Sequence, residues 1–102
     1  RDYVHVSDLA QAHLLAIKKM CEVNGFSAFN LGNGNGFSVL DVINSCSKVM
    51  GKPINYKIDK RRIGDPALLV ADDKKAKSEL KWMPKYKSLT EIIESAWLWH
   101  SR

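Results

Sequence analysis

The chain has 102 residues, a net charge of +5 and 45% hydrophobic residues, with three each of Trp, Tyr and Phe. That amounts to one domain at most and excludes a disordered chain. No apolar run approaches the length of a membrane span, and Arg1-Asp2-Tyr3 lacks the basic-then-apolar pattern of a signal peptide.

Val4-His5-Val6 is β-branched and predicts a short strand. Opening without Met on such a strand, the sequence reads as a piece of something longer. Ser7 stands at an N-cap position and Asp8 in the first turn, where a carboxylate suits the positive helix end. Leu9, His13, Ala16, Ile17 and Met20 recur at helical offsets, and Asn24-Gly25 is a stop signal, so a helix is predicted over 8–23. Residues 26–31 read as a short buried strand, followed by the loop Gly32-Asn33-Gly34-Asn35-Gly36. Ser38 and Asp41 form a capping-box variant ahead of a helix whose apolar face is Val39, Val42, Ile43, Cys46 and Val49. Gly51 and Pro53 end it.

Ile54, Tyr56 and Ile58 alternate with polar residues, the pattern of a half-exposed strand. Residues 60–66 form a charged loop, and residues 68–71 a brief apolar stretch compatible with a strand. Asp72 can cap a short helix over about 73–81 that buries Ala76, Leu80 and Trp82. Ser88 with Glu91 is a capping box for a last helix, whose apolar face is Leu89, Ile92, Ile93, Ala96 and Trp97. Strands alternating with helices place the chain in the α/β or α+β class. Its two nearly all-apolar strands call for a larger sheet covered on both faces, and 102 residues supply too little material to cover them.

The charge is concentrated. Residues 1–51 hold four basic and four acidic groups, residues 88–102 sum to −1, and residues 52–87 carry eleven Lys/Arg against five Asp/Glu, or +6. Such a segment implies an anionic partner or simply a solvated face. Cys21 and Cys46 form no CxxC or Cys/His cluster, so a zinc site is not expected. They read as buried free thiols, with the cytoplasm as the default compartment.

Three constellations bear on chemistry. The Gly32–Gly36 loop precedes a helix, yet it is not GxGxxG and no acidic residue ends a second strand about 20 residues on. It is a tight turn or a phosphate cradle. Arg61-Arg62-Ile63-Gly64-Asp65-Pro66 sets an arginine three residues from a carboxylate. An arginine can fork a phosphate and an aspartate can accept from a sugar hydroxyl, and the plain alternative is a weak surface ion pair. On an extended segment Arg1, Tyr3 and His5 share a face, so Arg1 and Tyr3 can reach a common anionic ligand. His5 and His13 read as structural and His100 as exposed. No nucleophile elbow, HExxH or Walker loop is present.

In succession, Arg1-Asp2-Tyr3-Val4-His5-Val6-Ser7-Asp8-Leu9-Ala10, Phe29-Asn30-Leu31-Gly32, Ser38-Val39-Leu40-Asp41-Val42, Arg61-Arg62-Ile63-Gly64-Asp65-Pro66, Ala71-Asp72 and Leu80-Lys81-Trp82 resemble the C-terminal third of the UDP-glucose 4-epimerase family. That family belongs to the extended short-chain dehydrogenase/reductase superfamily. The resemblance implies an α/β fold: the edge of a parallel, NAD-binding Rossmann-type sheet over residues 1–36, and a small α+β domain for the UDP-sugar over 37–102. It implies interconversion of UDP-glucose and UDP-galactose through an NAD-dependent 4-keto intermediate. The family's catalytic Tyr and Lys and its NAD fingerprint match no position here, so the chain alone is expected to be inactive and NAD to be bound by other parts.

By the same resemblance Arg1 and Arg62 grip the diphosphate, Asp65 binds a ribose hydroxyl, and Tyr3 and Val39 line the nucleotide pocket. It further implies a homodimeric parent in the cytoplasm, no nucleic-acid or membrane partner, and a fragment prone to self-association. Two alternatives stand beside it. One is a sibling nucleotide-sugar epimerase, dehydratase or decarboxylase. The other is a small basic nucleic-acid-binding module using Tyr56, Trp82 and Tyr86 among the lysines.

Overall fold

The computed structural model describes residues 1–22 and 24–102. Its elements are α1 (Val6–Met20), α2 (Val39–Met50), a π-helical turn (Ala76–Leu80) and α3 (Leu89–His100). α1 begins two residues earlier than its sequence pattern predicts, because His5 and not Ser7 is the N-cap. His5 is extended at φ −65° and ψ 139°, and its Nδ1 accepts the Ser7 backbone N–H at 3.0 Å. An imidazole lone pair thus does what a serine hydroxyl oxygen usually does at a helix start. α1 stops at Met20, with Cys21 as its C-cap. Val23, the last residue of the predicted helix, lies outside the described residues.

The face that α1 buries overlaps the predicted stripe only at Leu9 and Ala16, both half-buried. Asp8 and Ala12 are buried and Leu15 and Ala16 half-buried, whereas His13, Ile17 and Met20 are exposed. The partner decides this. Ala12 has no side chain beyond Cβ, so Ala76, Leu80 and Trp82 pack closely against it, with Val4, Phe29 and Leu31 around them. Cys21 follows the same shift: it is exposed at the helix end, and Cys46 is only partly covered, so neither is a buried thiol.

Trp82 is wholly buried, and its indole N–H donates to the Asp8 carbonyl at 2.9 Å. The Asp8 side chain accepts the backbone N–H groups of Lys85 and Tyr86 at 2.8 and 3.0 Å. A carboxylate away from water is tolerated when its lone pairs are filled in this way. Ala76, Leu80 and Trp82 are the buried positions predicted for this segment; Asp72 accepts Lys74 N–H at 3.1 Å just ahead of it, but the N-cap of the π turn is Lys75, which makes no side-chain cap bond. The segment closes as a π turn, with Lys81 in the left-handed region at φ 58°.

α2 packs on α3. The predicted capping box of α2 is formed: Ser38 Oγ accepts from Asp41 N–H at 3.0 Å and Asp41 accepts from Ser38 N–H at 2.9 Å. Gly51 closes the helix at φ 71°. Ser88 is the N-cap of α3, but it makes no side-chain bond. The box predicted with Glu91 is therefore not formed, since spacing fixes which residues can meet and not which rotamers they take.

None of the predicted strands, at 4–6, 26–31, 54–58 and 68–71, is a strand among the described residues. Phe26 is 93% exposed and Ile58 82%. A strand exists through its ladder, and these segments have the composition without a neighbour to bond to. One reciprocal pair is present: Arg1 and Phe37 exchange two backbone hydrogen bonds of 2.8 Å each.

The surface is correspondingly large. The chain exposes 8119 Å², whereas a self-contained monomer of this mass exposes about 5,800 Å². Its radius of gyration is 16.4 Å, against about 13 Å for a compact chain of this length. No helix among the described residues is long and apolar enough to cross a membrane.

Three outcomes follow. The isolated chain self-associates with rising concentration in sedimentation velocity; a single monomeric species across a hundredfold range would contradict this. Trp82→Ala destabilises the fold by about 3–5 kcal/mol in denaturant titrations. Asp41 is held below its ordinary carboxyl value of 3.8 by hydrogen bonds from the Ser38 backbone, first, and then the Ser38 side chain. A lowered folded value means that this stabilisation is present above pH 3.8 and is lost as pH falls through the folded value. Asp41→Asn therefore flattens the acid limb of the stability profile measured by circular dichroism.

Candidate functional site

Of the five residues singled out in the sequence, four line one open hollow of about 420 Å³: Arg1, Val39, Arg62 and Asp65. Local structure brings each there. Arg1 is pinned by its paired bonds to Phe37, one residue before the α2 cap. Val39 is the first residue of α2. Arg62 and Asp65 flank Gly64, whose φ of 80° makes the turn that an L-residue with a side chain resists. Arg1 then crosses 65 positions of sequence to donate from Nη1 to the Pro66 carbonyl at 2.9 Å, and its Nη2 pairs with Asp65. The Arg62 guanidinium lies 3.4 Å from the other Asp65 oxygen.

These contacts differ in strength. Arg1 and Asp65 side chains are 30% and 29% exposed, but Arg62 is 84% exposed. An exposed pair at that distance contributes little, so Arg62 is free to swing toward a ligand. Lys60, Arg61 and Asp59 join the rim. Four cations against two carboxylates leave the hollow with two excess positive charges, a match for a small dianion. Lys60, Arg61, Asp59 and the Pro66 carbonyl were not separable from a solvated charge run by sequence alone. Tyr3 stands outside the hollow: it is half-buried, and its carbonyl accepts from Asn33 Nδ2 at 3.3 Å.

Two other hollows carry less positive charge: one of about 420 Å³ has Lys81 and Lys85, with the Asp8 carboxylate already bonded to the backbone of Lys85 and Tyr86. The groove of Ala16, Met20, Phe26 and Phe29 has Lys19 as its charge and measures about 290 Å³. His5 is structural, as its sequence setting suggested. With Nδ1 accepting, Nε2 carries the proton and donates to Ser95 Oγ at 2.8 Å, and the ring stacks on Tyr86 with centroids 4.1 Å apart. His13 is not a core residue; it is exposed, and its Nδ1–H donates to the Leu9 carbonyl at 2.6 Å. With Trp82 buried and Tyr86 stacked on His5, the basic segment offers no continuous aromatic platform for bases.

The glycine loop does not fit a dinucleotide phosphate. A Cβ on Gly32 would collide with the Asp2 carboxylate and stand 3.0 Å from the Ala71 Cβ, and one on Gly36 would stand 3.0 Å from Val70. Beside Gly32 and Gly36 the loop is thus lined by the chain's own atoms, one of them an anion, and open space is left only at Gly34.

No protein-family model matches the chain. The UDP-glucose 4-epimerase of Halalkalibacterium halodurans is 52% identical over 100 residues, which are 98% of this chain and 30% of that protein. A crystal structure of a UDP-glucose 4-epimerase superimposes with a TM-score of 0.91 at 46% identity, covering 99% of this chain and 31% of that one. The Bifidobacterium longum UDP-glucose 4-epimerase, solved in complex with NAD+ and UDP, superimposes with a TM-score of 0.86 at 40% identity over 99% of this chain and 30% of that one. The chain is related throughout to the C-terminal portion of UDP-glucose 4-epimerases. It spans about 30% of the length of these relatives. Its backbone accordingly follows the matching part of those solved epimerase structures.

Proposed function

We propose that this chain is the UDP-sugar-binding portion of a UDP-glucose 4-epimerase, an isomerase that interconverts UDP-glucose and UDP-galactose. The observation that carries the reading is the convergence of Arg1, Arg62 and Asp65 on one hollow with excess positive charge, in a chain about half identical to such enzymes. Asp65 is the shared counter-ion of the two guanidiniums, close to Arg1 and loosely to Arg62, and leaves them with excess positive charge. A bound diphosphate replaces it as their counter-ion, which releases the Asp65 carboxylate to accept from a ribose hydroxyl. Val39 gives the nucleotide an apolar contact at the start of α2, and Tyr3 lies on the adjoining segment.

In this reading residues 1–36 complete the edge of a parallel NAD-binding sheet and residues 37–102 form most of the small domain. The unpaired apolar segments at 26–31 and 68–71 support it, since they have strand composition and no ladder of their own. NAD, which supplies the hydride exchange when bound, belongs to the other two thirds of the enzyme, because the glycine loop here does not fit it. This chain's contribution is to bind and orient the nucleotide end so that the sugar projects toward that chemistry. We place the parent enzyme in the cytoplasm, as a homodimer.

Two measurements test the proposal. The chain mixed with UDP-galactose and NAD forms no UDP-glucose, whereas the full-length enzyme does; turnover by the chain alone would overturn the division of labour. Arg62→Ala in the full-length enzyme weakens UDP binding about ten- to a hundredfold by calorimetry, and added salt narrows the difference. An oligonucleotide that binds with a steep salt slope and is not displaced by UDP would favour the nucleic-acid module instead.

A further inference from the structure

The geometry points to Asp2 as the positioning residue that sets Arg1 over the hollow, an inference that rests on the UDP-sugar reading. On the extended segment at the start of the chain, Asp2 faces away from Arg1. Its two carboxylate oxygens are separately used: Oδ1 accepts the Asn33 backbone N–H at 2.8 Å and Oδ2 accepts the Ala71 backbone N–H at 3.1 Å. Each of those residues belongs to a segment that builds one wall. Asn33 leads through the glycine loop to Phe37, Ser38 and Val39. Ala71 follows the loop that carries Arg62, Asp65 and Pro66. One carboxylate therefore ties both walls to the residue next to Arg1, while the paired Phe37 bonds hold the Arg1 backbone itself.

Gly32 belongs to the same device. Its hydrogen lies where a Cβ would strike Asp2 Oδ2, so glycine is required there for the carboxylate to sit between the two segments. Asparagine at position 2 would present one acceptor and one donor to two N–H donors, which leaves one wall untied.

The test uses the full-length enzyme with Arg1→Ala, Asp2→Asn and the double variant, with UDP affinity read by calorimetry alongside kcat and KM for the UDP-hexose. Asp2→Asn is expected to weaken UDP binding and raise KM about tenfold, while kcat changes by less than about twofold. In the Arg1→Ala background the same change adds less than about twofold, because its effect passes through Arg1. Gly32→Ala, which keeps the carboxylate and displaces it, gives the same non-additive pattern and serves where Asp2→Asn folds poorly. Equal losses in both backgrounds, or a fall in kcat with UDP affinity unchanged, would overturn the inference. If the unsubstituted enzyme binds no UDP, the UDP-sugar reading fails and takes this inference with it. If UDP binds and Arg1→Ala weakens it but Asp2→Asn does not, only the positioning role fails.

Discussion

The burial of Trp82 against Ala12 is the contact on which the rest of the chain hangs. It joins the first helix to the π turn near residue 80, and the indole N–H finds its acceptor in the same helix, at the Asp8 carbonyl. Asp8 then collects the backbone of Lys85 and Tyr86, so the chain leaves the core in a fixed direction. Tyr86 stacks on His5, and His5 reaches Ser95 of α3. A helix start, a turn and the last helix are thereby locked through one buried aromatic and one buried carboxylate, each with its polar atoms satisfied.

Two aspartates near the chain start serve related ends by related means. Asp8 organises the core, and Asp2 draws together the segments around the charged hollow. Both act on backbone N–H groups, which are present whatever the side chain. The arrangement therefore depends on where the carboxylates sit and little on the identity of the residues they hold. The hollow itself is built from opposed charges, and Asp65 with the Pro66 carbonyl keeps the Arg1 guanidinium oriented. Preformed orientation of this kind lowers the ordering cost of binding an anion.

The uncovered surface has a physical reading that agrees with the relatives' greater length. Apolar side chains such as Phe26, Ile58 and Met20 remain exposed, and four segments of strand composition lack a ladder. Sheet formation is a property of pairs of segments, so composition alone does not create it. These segments have strand composition and no strand partner among the described residues.

What the sequence by itself determined was local. The Ser38–Asp41 box, the Gly51 stop and the burial of Ala76, Leu80 and Trp82 all follow from residues a few positions apart. Arg62 and Asp65 were legible as a possible clamp for the same reason, and their link to Arg1 came from a resemblance of motifs. Tertiary structure alone decided which face α1 buries, that His5 and not Ser7 caps it, that Glu91 leaves Ser88 unbonded, and that Arg1 meets Asp65 across more than sixty residues. Spacing along a chain fixes which neighbours can interact within a turn or two of helix. Contacts between distant segments depend on how much apolar surface each candidate partner can cover, and that is settled only when the segments compete for one another in three dimensions.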